Sequence, residues 1–132
     1  MNTPEVTLAK AQEFLKTNDD DNTIVIINDF IQNSKKKYWT QNHEQLISVL
    51  IEVAIRKNNL KFLKDGLNYY RGISQNTNID SLANILTKTK ELVEDKFMKA
   101  QKSYQGIVKL KNFKIIFLIT ILNFIRKLIF KI

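Results

Sequence analysis

No cysteine occurs among the 132 residues, which removes disulfide staples and thiolate metal sites together. Proline appears once, at Pro4, and glycine three times, at Gly66, Gly72 and Gly106. That is too little punctuation for the many turns of a β-sandwich or barrel, so an all-α chain is expected. The single histidine, His43, has no second ligand at helical spacing, so no metal site is expected. No signal-like segment precedes the first polar, helix-forming stretch, and a cytoplasmic address is expected. From this length one core is expected, burying roughly two thirds of the surface the unfolded form exposes.

The net charge of +8 is unevenly placed. Residues 1–106 carry fifteen Lys and Arg against thirteen Asp and Glu, whereas residues 107–132 carry six basic residues and no acid. A basic balance argues for nucleic acid only where it clusters on a face, so the overall charge is weak support for an RNA-binding surface.

Apolar residues recur every three or four positions, the period of a helix that packs one face. Thr3 and Pro4 open a first helix with Leu8, Ala11, Phe14 and Leu15 as its buried stripe. Asp19–Asp21 cap a second, carrying Ile24, Ile27, Phe30 and Ile31 to near Ser34. Thr40 caps a third with Leu46, Ile47, Leu50, Ile51, Ala54 and Ile55, closed by Arg56 and Lys57. After a break at Asn58-Asn59, Leu60, Leu63, Leu67 and Tyr70 stripe a fourth. Asn78 caps a fifth with Leu82, Ile85, Leu86, Leu92, Val93 and Phe97, roughly 40 Å long if it continues to Gln105. Helical hairpins thus recur at a period of about thirty-five to thirty-seven residues, as in TPR- or HEAT-like solenoids, although the tetratricopeptide signature is absent. The expected architecture is a stack of antiparallel hairpins whose open ends need covering.

The residues inside these helices are also similar, in order, to a known family. Pro4-Glu5, Ala11-Gln12-Glu13-Phe14-Leu15, Lys36-Lys37, Trp39, His43-Glu44, Leu63-Lys64-Asp65-Gly66-Leu67, Tyr70, Asn78-Ile79-Asp80-Ser81-Leu82 and Glu94-Asp95-Lys96 resemble the amino-terminal region of eIF3a, the largest subunit of eukaryotic translation initiation factor 3. The resemblance covers about three quarters of the chain and implies the N-terminal part of a PCI-type helical array. It implies a non-catalytic scaffold that assembles with other initiation factor 3 subunits, especially the PCI-type eIF3c, and works with the small ribosomal subunit and mRNA or rRNA. It implies no cofactor. Residues 1–105 follow the family, and residues 106–132 are expected to depart from it as an apolar, basic and helical tail.

Candidate sites are few. Lys35, Lys36 and Lys37 beside Tyr38 and Trp39 combine charge for phosphates with rings for bases, and Arg56 and Lys57 add two cations; a solvated connector is the plainer reading. Tyr69, Tyr70 and Arg71 have the residue types of interface anchors, with packing of Tyr70 inside the array the alternative. His43 with Glu44 reads as a local hydrogen bond near a helix start, and Asp19–Asp21 lack the alternation of a calcium loop. Nucleophile elbow, phosphate loop and a close acid–base pair are all missing, so no catalytic residue is assigned and an enzyme is not expected.

In the tail, seventeen of the twenty-six residues 107–132 are apolar, but the run free of charge, Ile115–Ile125, is eleven residues and includes Thr120 and Asn123, short of the ~20 a bilayer requires. Membrane insertion is therefore not expected unless the flanking lysines snorkel. That exception defines the rival reading, a small membrane-associated helical adaptor anchored by its tail. Two other origins fit: a helix folded over the open end of the array or, the preferred one, translation of a shifted frame or intron.

Overall fold

The computed structural model describes residues 3–34, 39–75, 77–101 and 120–127, apart from the side chains of 97 and 99–101. The described residues are helical with no strand, and the chain divides into two compact units, Met1–Ile85 and Leu86–Ile132. The elements are α1 (Pro4–Lys16), α2 (Asp20–Asn33), α3 (Gln41–Arg56), α4 (Leu60–Ser74) and α5 (Ile79–Gln101), with a further helix, α6, over 120–127.

The starts of α1 to α5 are each fixed by a short polar side chain. Thr3 accepts from the Val6 N–H at 3.2 Å, Asp19 from Asn22 at 3.2 Å, Thr40 from His43 at 3.4 Å, Asn59 from Phe62 at 3.1 Å and Asn78 from Ser81 at 3.0 Å. A helix leaves its first N–H groups without intrahelical partners, and these oxygens supply them. Pro4 in the first turn costs no hydrogen bond there.

The ends of α1 and α3 share one geometry. Asn18 and Asn58 both take φ 58°, the left-handed region that asparagine tolerates better than most residues. The Asn18 N–H donates to Leu15 O at 3.1 Å and the Asp19 N–H to Phe14 O at 2.9 Å; Asn58 donates to Ile55 O at 3.1 Å and Asn59 to Ala54 O at 2.8 Å. These paired bonds are a Schellman closure. In each case the residue after the asparagine then caps the next helix, so three residues, 17–19 and 57–59, join a hairpin.

Within the first unit α1 packs chiefly on α2 and α3 on α4, while α1 and α2 both meet α3 and α2 also meets α4. This is a pair of stacked antiparallel hairpins. Ile27, Leu46, Ile47, Leu50, Ile51, Leu63, Leu67 and Tyr70 are fully enclosed, each large apolar side chain contributing roughly 1.5–3 kcal/mol by leaving water. Ala11 and Ala54 are equally buried, and their small size lets helices approach. Gly66 goes further: a Cβ there would lie 2.6 Å from Leu50 Cδ2, so glycine is what allows α4 to close on α3. The stripe of α1 is shorter than expected. Leu8 and Ala11 are buried with Thr7, but Phe14 and Leu15 are only half-buried because the helix reaches its Schellman end there.

In the second unit Leu86, Thr89 and Val93 are the buried side of α5. In α6, Ile121 and Ile125, one turn apart, are buried, whereas Asn123, Arg126 and Lys127 are exposed. That is the alternation of a helix resting one side on protein.

Candidate functional site

The antiparallel arrangement gathers the sequence-derived residues at two opposite ends of the first unit. At one end lie the start of α2, the end of α3 and both asparagine links. Arg56 donates from Nε to Asp20 Oδ2 at 2.9 Å and from Nη2 to Asp20 Oδ1 at 2.7 Å, a two-pronged ion pair across helices. Lys57 Nζ approaches Asp21 at 3.7 Å. The Arg56 guanidinium holds the Asp20 carboxyl below its ordinary value, chiefly through those hydrogen bonds. Two of the cations considered for RNA therefore face acids of the same chain, while keeping about half of their side-chain surface in water, 55% for Arg56 and 45% for Lys57.

At the other end lie the finish of α2, the start of α3 and the last turns of α4. His43, buried in the first turn of α3, stands against Phe30 and Tyr69, with ring centroids 5.9 and 6.3 Å away, and Phe30 meets Tyr69 edge-on at 6.4 Å. One aromatic from each of α2, α3 and α4 thus forms a small cluster. The Thr40 hydroxyl accepts from the His43 N–H and lies 2.7 Å from Nδ1, so it serves as donor to that nitrogen in the Nε2–H tautomer. This is the local hydrogen bond read from sequence. Burial lowers the pKa of His43, partly countered by Glu5. Glu5 in turn accepts from Asn42 Nδ2 at 2.9 Å, tying α1 to α3.

Tyr69 and Tyr70 hold the two sides of the α2–α3 connection. The Tyr69 hydroxyl donates to Ser34 Oγ at 3.3 Å, and the Trp39 indole donates to the Tyr70 hydroxyl at 2.6 Å. Tyr70 is wholly enclosed and also shares a hydrogen bond with Ser81 in the first turn of α5. Burial raises the pKa of both phenols. Tyr70 is thus the packing residue of the two readings weighed from sequence, while Tyr69 is half-buried. Arg71 is half-buried too, and its Nε is enclosed with no hydrogen-bond partner among the described residues. Lys35, Lys36, Lys37 and Tyr38 lie outside the described residues. Their chain neighbours Ser34 and Trp39 sit at the opposite end of α3 from Arg56, roughly 24 Å away at 1.5 Å per residue.

Sequence reasoning missed the shared turn at Asn18 and Asn58, the cap at Asn59, and the Tyr70–Ser81 contact. Its available signal was an asparagine between the last helical residue and the next capping side chain, twice. Among the described residues, no group of three or more His, Asp or Glu side chains could hold a metal ion, and no helix is long and apolar enough to cross a membrane. Most of residues 107–132, on which the adaptor reading depends, lies outside the described residues.

Hairpins stacked in this way, with connectors pinned by side chains, define a TPR-like helical repeat. A family profile described as "eIF3a, PCI domain, TPR-like region" matches residues 5–112, and the chain belongs to that family. Among curated proteins it is similar to the eIF3a subunits of eukaryotic translation initiation factor 3 from Xenopus tropicalis and from Danio rerio. Both are 29% identical over 105 residues, covering 80% of this chain. The corresponding eIF3a protein of Caenorhabditis briggsae is 28% identical over 109 residues, covering 83%. The chain spans only 8–10% of the length of these relatives.

Proposed function

We propose that this chain is a non-catalytic scaffold segment of the eIF3a type, working in the cytoplasm within the translation initiation factor 3 complex and at the small ribosomal subunit. The observation that supports it is the family match over residues 5–112, which takes in both hairpins and all of α5. A repeat of this kind offers long outer faces and binds by surface, not by chemistry in a pocket. The partners are other initiation factor 3 subunits, with the PCI-type eIF3c foremost, and mRNA or rRNA. Residues 1–105 are the helical-repeat segment and 106–132 a separate tail.

Within this reading Lys35–Lys37 supply the RNA contact, with Arg56 and Lys57 contributing residual field beyond their ion pairs, and Tyr69 and Arg71 face a protein partner. The test is capture of the tagged full chain from native lysate, followed by mass spectrometry and sedimentation with ribosomal subunits. Recovery of initiation factor 3 subunits is expected, and association with ribosomal subunits is expected to weaken with salt and on reversal of Lys35–Lys37 to Glu. Recovery of none of these subunits would overturn the assignment.

A further inference from the structure

The outer side of α4 carries Lys61, Lys64, Asp65, Asn68, Arg71 and Gly72, all exposed or half-exposed at spacings of three and four. Three cations against one acid give this side a positive surplus. Two adjacent positions on it have no internal explanation. A Cβ at Gly72 would meet nothing within 4 Å, so no packing demands glycine there, although alanine suits a helix interior better. This is the reverse of Gly66, where a side chain would press on Leu50. Beside it, the Arg71 Nε is shut away from water without an acceptor among the described residues, a costly state for a hydrogen-bond donor. Arg56 shows what that edge of a guanidinium takes, since its Nε and Nη2 grip a carboxylate together.

We propose that the outer side of α4 is the docking surface for an acidic segment of a partner protein. Its carboxylate takes the Nε–Nη edge of Arg71 as the side chain turns outward, and its chain comes closest over Gly72. The inference rests on the scaffold reading above and adds the place and chemistry of one contact. RNA fits this side less well. No aromatic among the described residues of this side is free to stack on a base, because the Tyr69 ring is committed to Phe30 and His43 and Tyr70 is enclosed.

The experiment uses the full chain with a photo-crosslinking residue at Asn68, offered either a Glu-rich helical peptide or an oligouridylate of matched charge. Capture of the peptide is expected, falling about tenfold with Arg71→Gln, as loss of a charge-assisted hydrogen bond dictates. Gly72→Ala is expected to weaken capture while raising the thermal midpoint, a pairing that a purely structural role would not produce. Preferential capture of the oligouridylate would overturn the proposal, as would peptide capture unchanged by either substitution in chains with wild-type circular dichroism. Failure here is separable from failure of the scaffold reading, which is measured by subunit recovery and by Lys35–Lys37.

Discussion

Trp39 and Tyr70, thirty-one residues apart, meet through an indole-to-hydroxyl bond of 2.6 Å, and the same hydroxyl bonds Ser81. One enclosed phenol therefore ties the approach to α3, the last turns of α4 and the first turn of α5. Tyr70→Phe keeps the ring but leaves the Trp39 and Ser81 groups without their partner, at an expected cost of ~1–3 kcal/mol in urea unfolding. The emission of Trp39, the only tryptophan, is expected to change in the same variant, and Ser81→Ala added to it to cost less than the sum of the two single changes.

The two glycines of α4 predict opposite signs for one substitution. Gly66→Ala meets Leu50 Cδ2 at 2.6 Å, and overpacking of ~1–3 kcal/mol outweighs a helix-propensity gain of ~0.5–1 kcal/mol. Gly72→Ala meets nothing and is expected to stabilise by ~0.5–1 kcal/mol. Thermal midpoints of the two single variants check this directly.

His43 makes stability depend on pH near neutrality. Its pKa is lowered from about 6.5 by burial, so the unfolded chain binds the proton more readily than the folded one. Stability is then full above pH 6.5 and falls as pH drops through the lowered folded value. Titration of the only histidine by proton NMR is expected to give a midpoint below that of a free peptide. A His43→Phe chain is expected to lose this portion of the pH dependence.

Asp20 acts in a more acidic window. Its pKa is lowered by Arg56, so its contribution is present above the ordinary aspartate value and lost as pH falls through the lowered one. Both partners reach solvent, and Asp20→Asn is expected to cost only ~0.5–1 kcal/mol at neutral pH. The cost is expected to shrink in high salt and to vanish in strong acid, measured by urea unfolding at each condition.

Asn58 carries a backbone strain that can be tested by itself. At φ 58°, Asn58→Ala is expected to destabilise by ~1 kcal/mol, whereas Asn58→Gly is expected to be neutral or stabilising. Asn18, with the same φ, is expected to respond alike.

Much of this architecture was legible because local chemistry and burial agree. Thr3, Asp19, Thr40 and Asn78 cap as their side chains suggest, and Ile24, Ile27, Leu46, Leu50, Leu63 and Leu67 face inward as their spacing requires. What escaped depends on residues far apart in the chain. No local pattern says that Arg56 will pair with Asp20 thirty-six residues earlier, so the cations near it read as freer than they are. Nor does the motif around Gly66 reveal that Leu50 dictates it. Phe14 and Leu15 were overcounted because periodicity ignores where a helix stops. The candidate surfaces were the least legible part, since Tyr69, Tyr70 and Arg71 are consecutive in sequence yet one is enclosed and the others are half-buried.

The three-residue joints at 17–19 and 57–59 leave no slack, because one residue finishes a helix and the next begins another. A single added residue there would break both the closure and the cap, and in the adjoining helix it would swing every later side chain by about 100°. Length differences between this chain and its relatives are therefore expected to avoid both elbows, and to accumulate where the chain passes from one hairpin to the next.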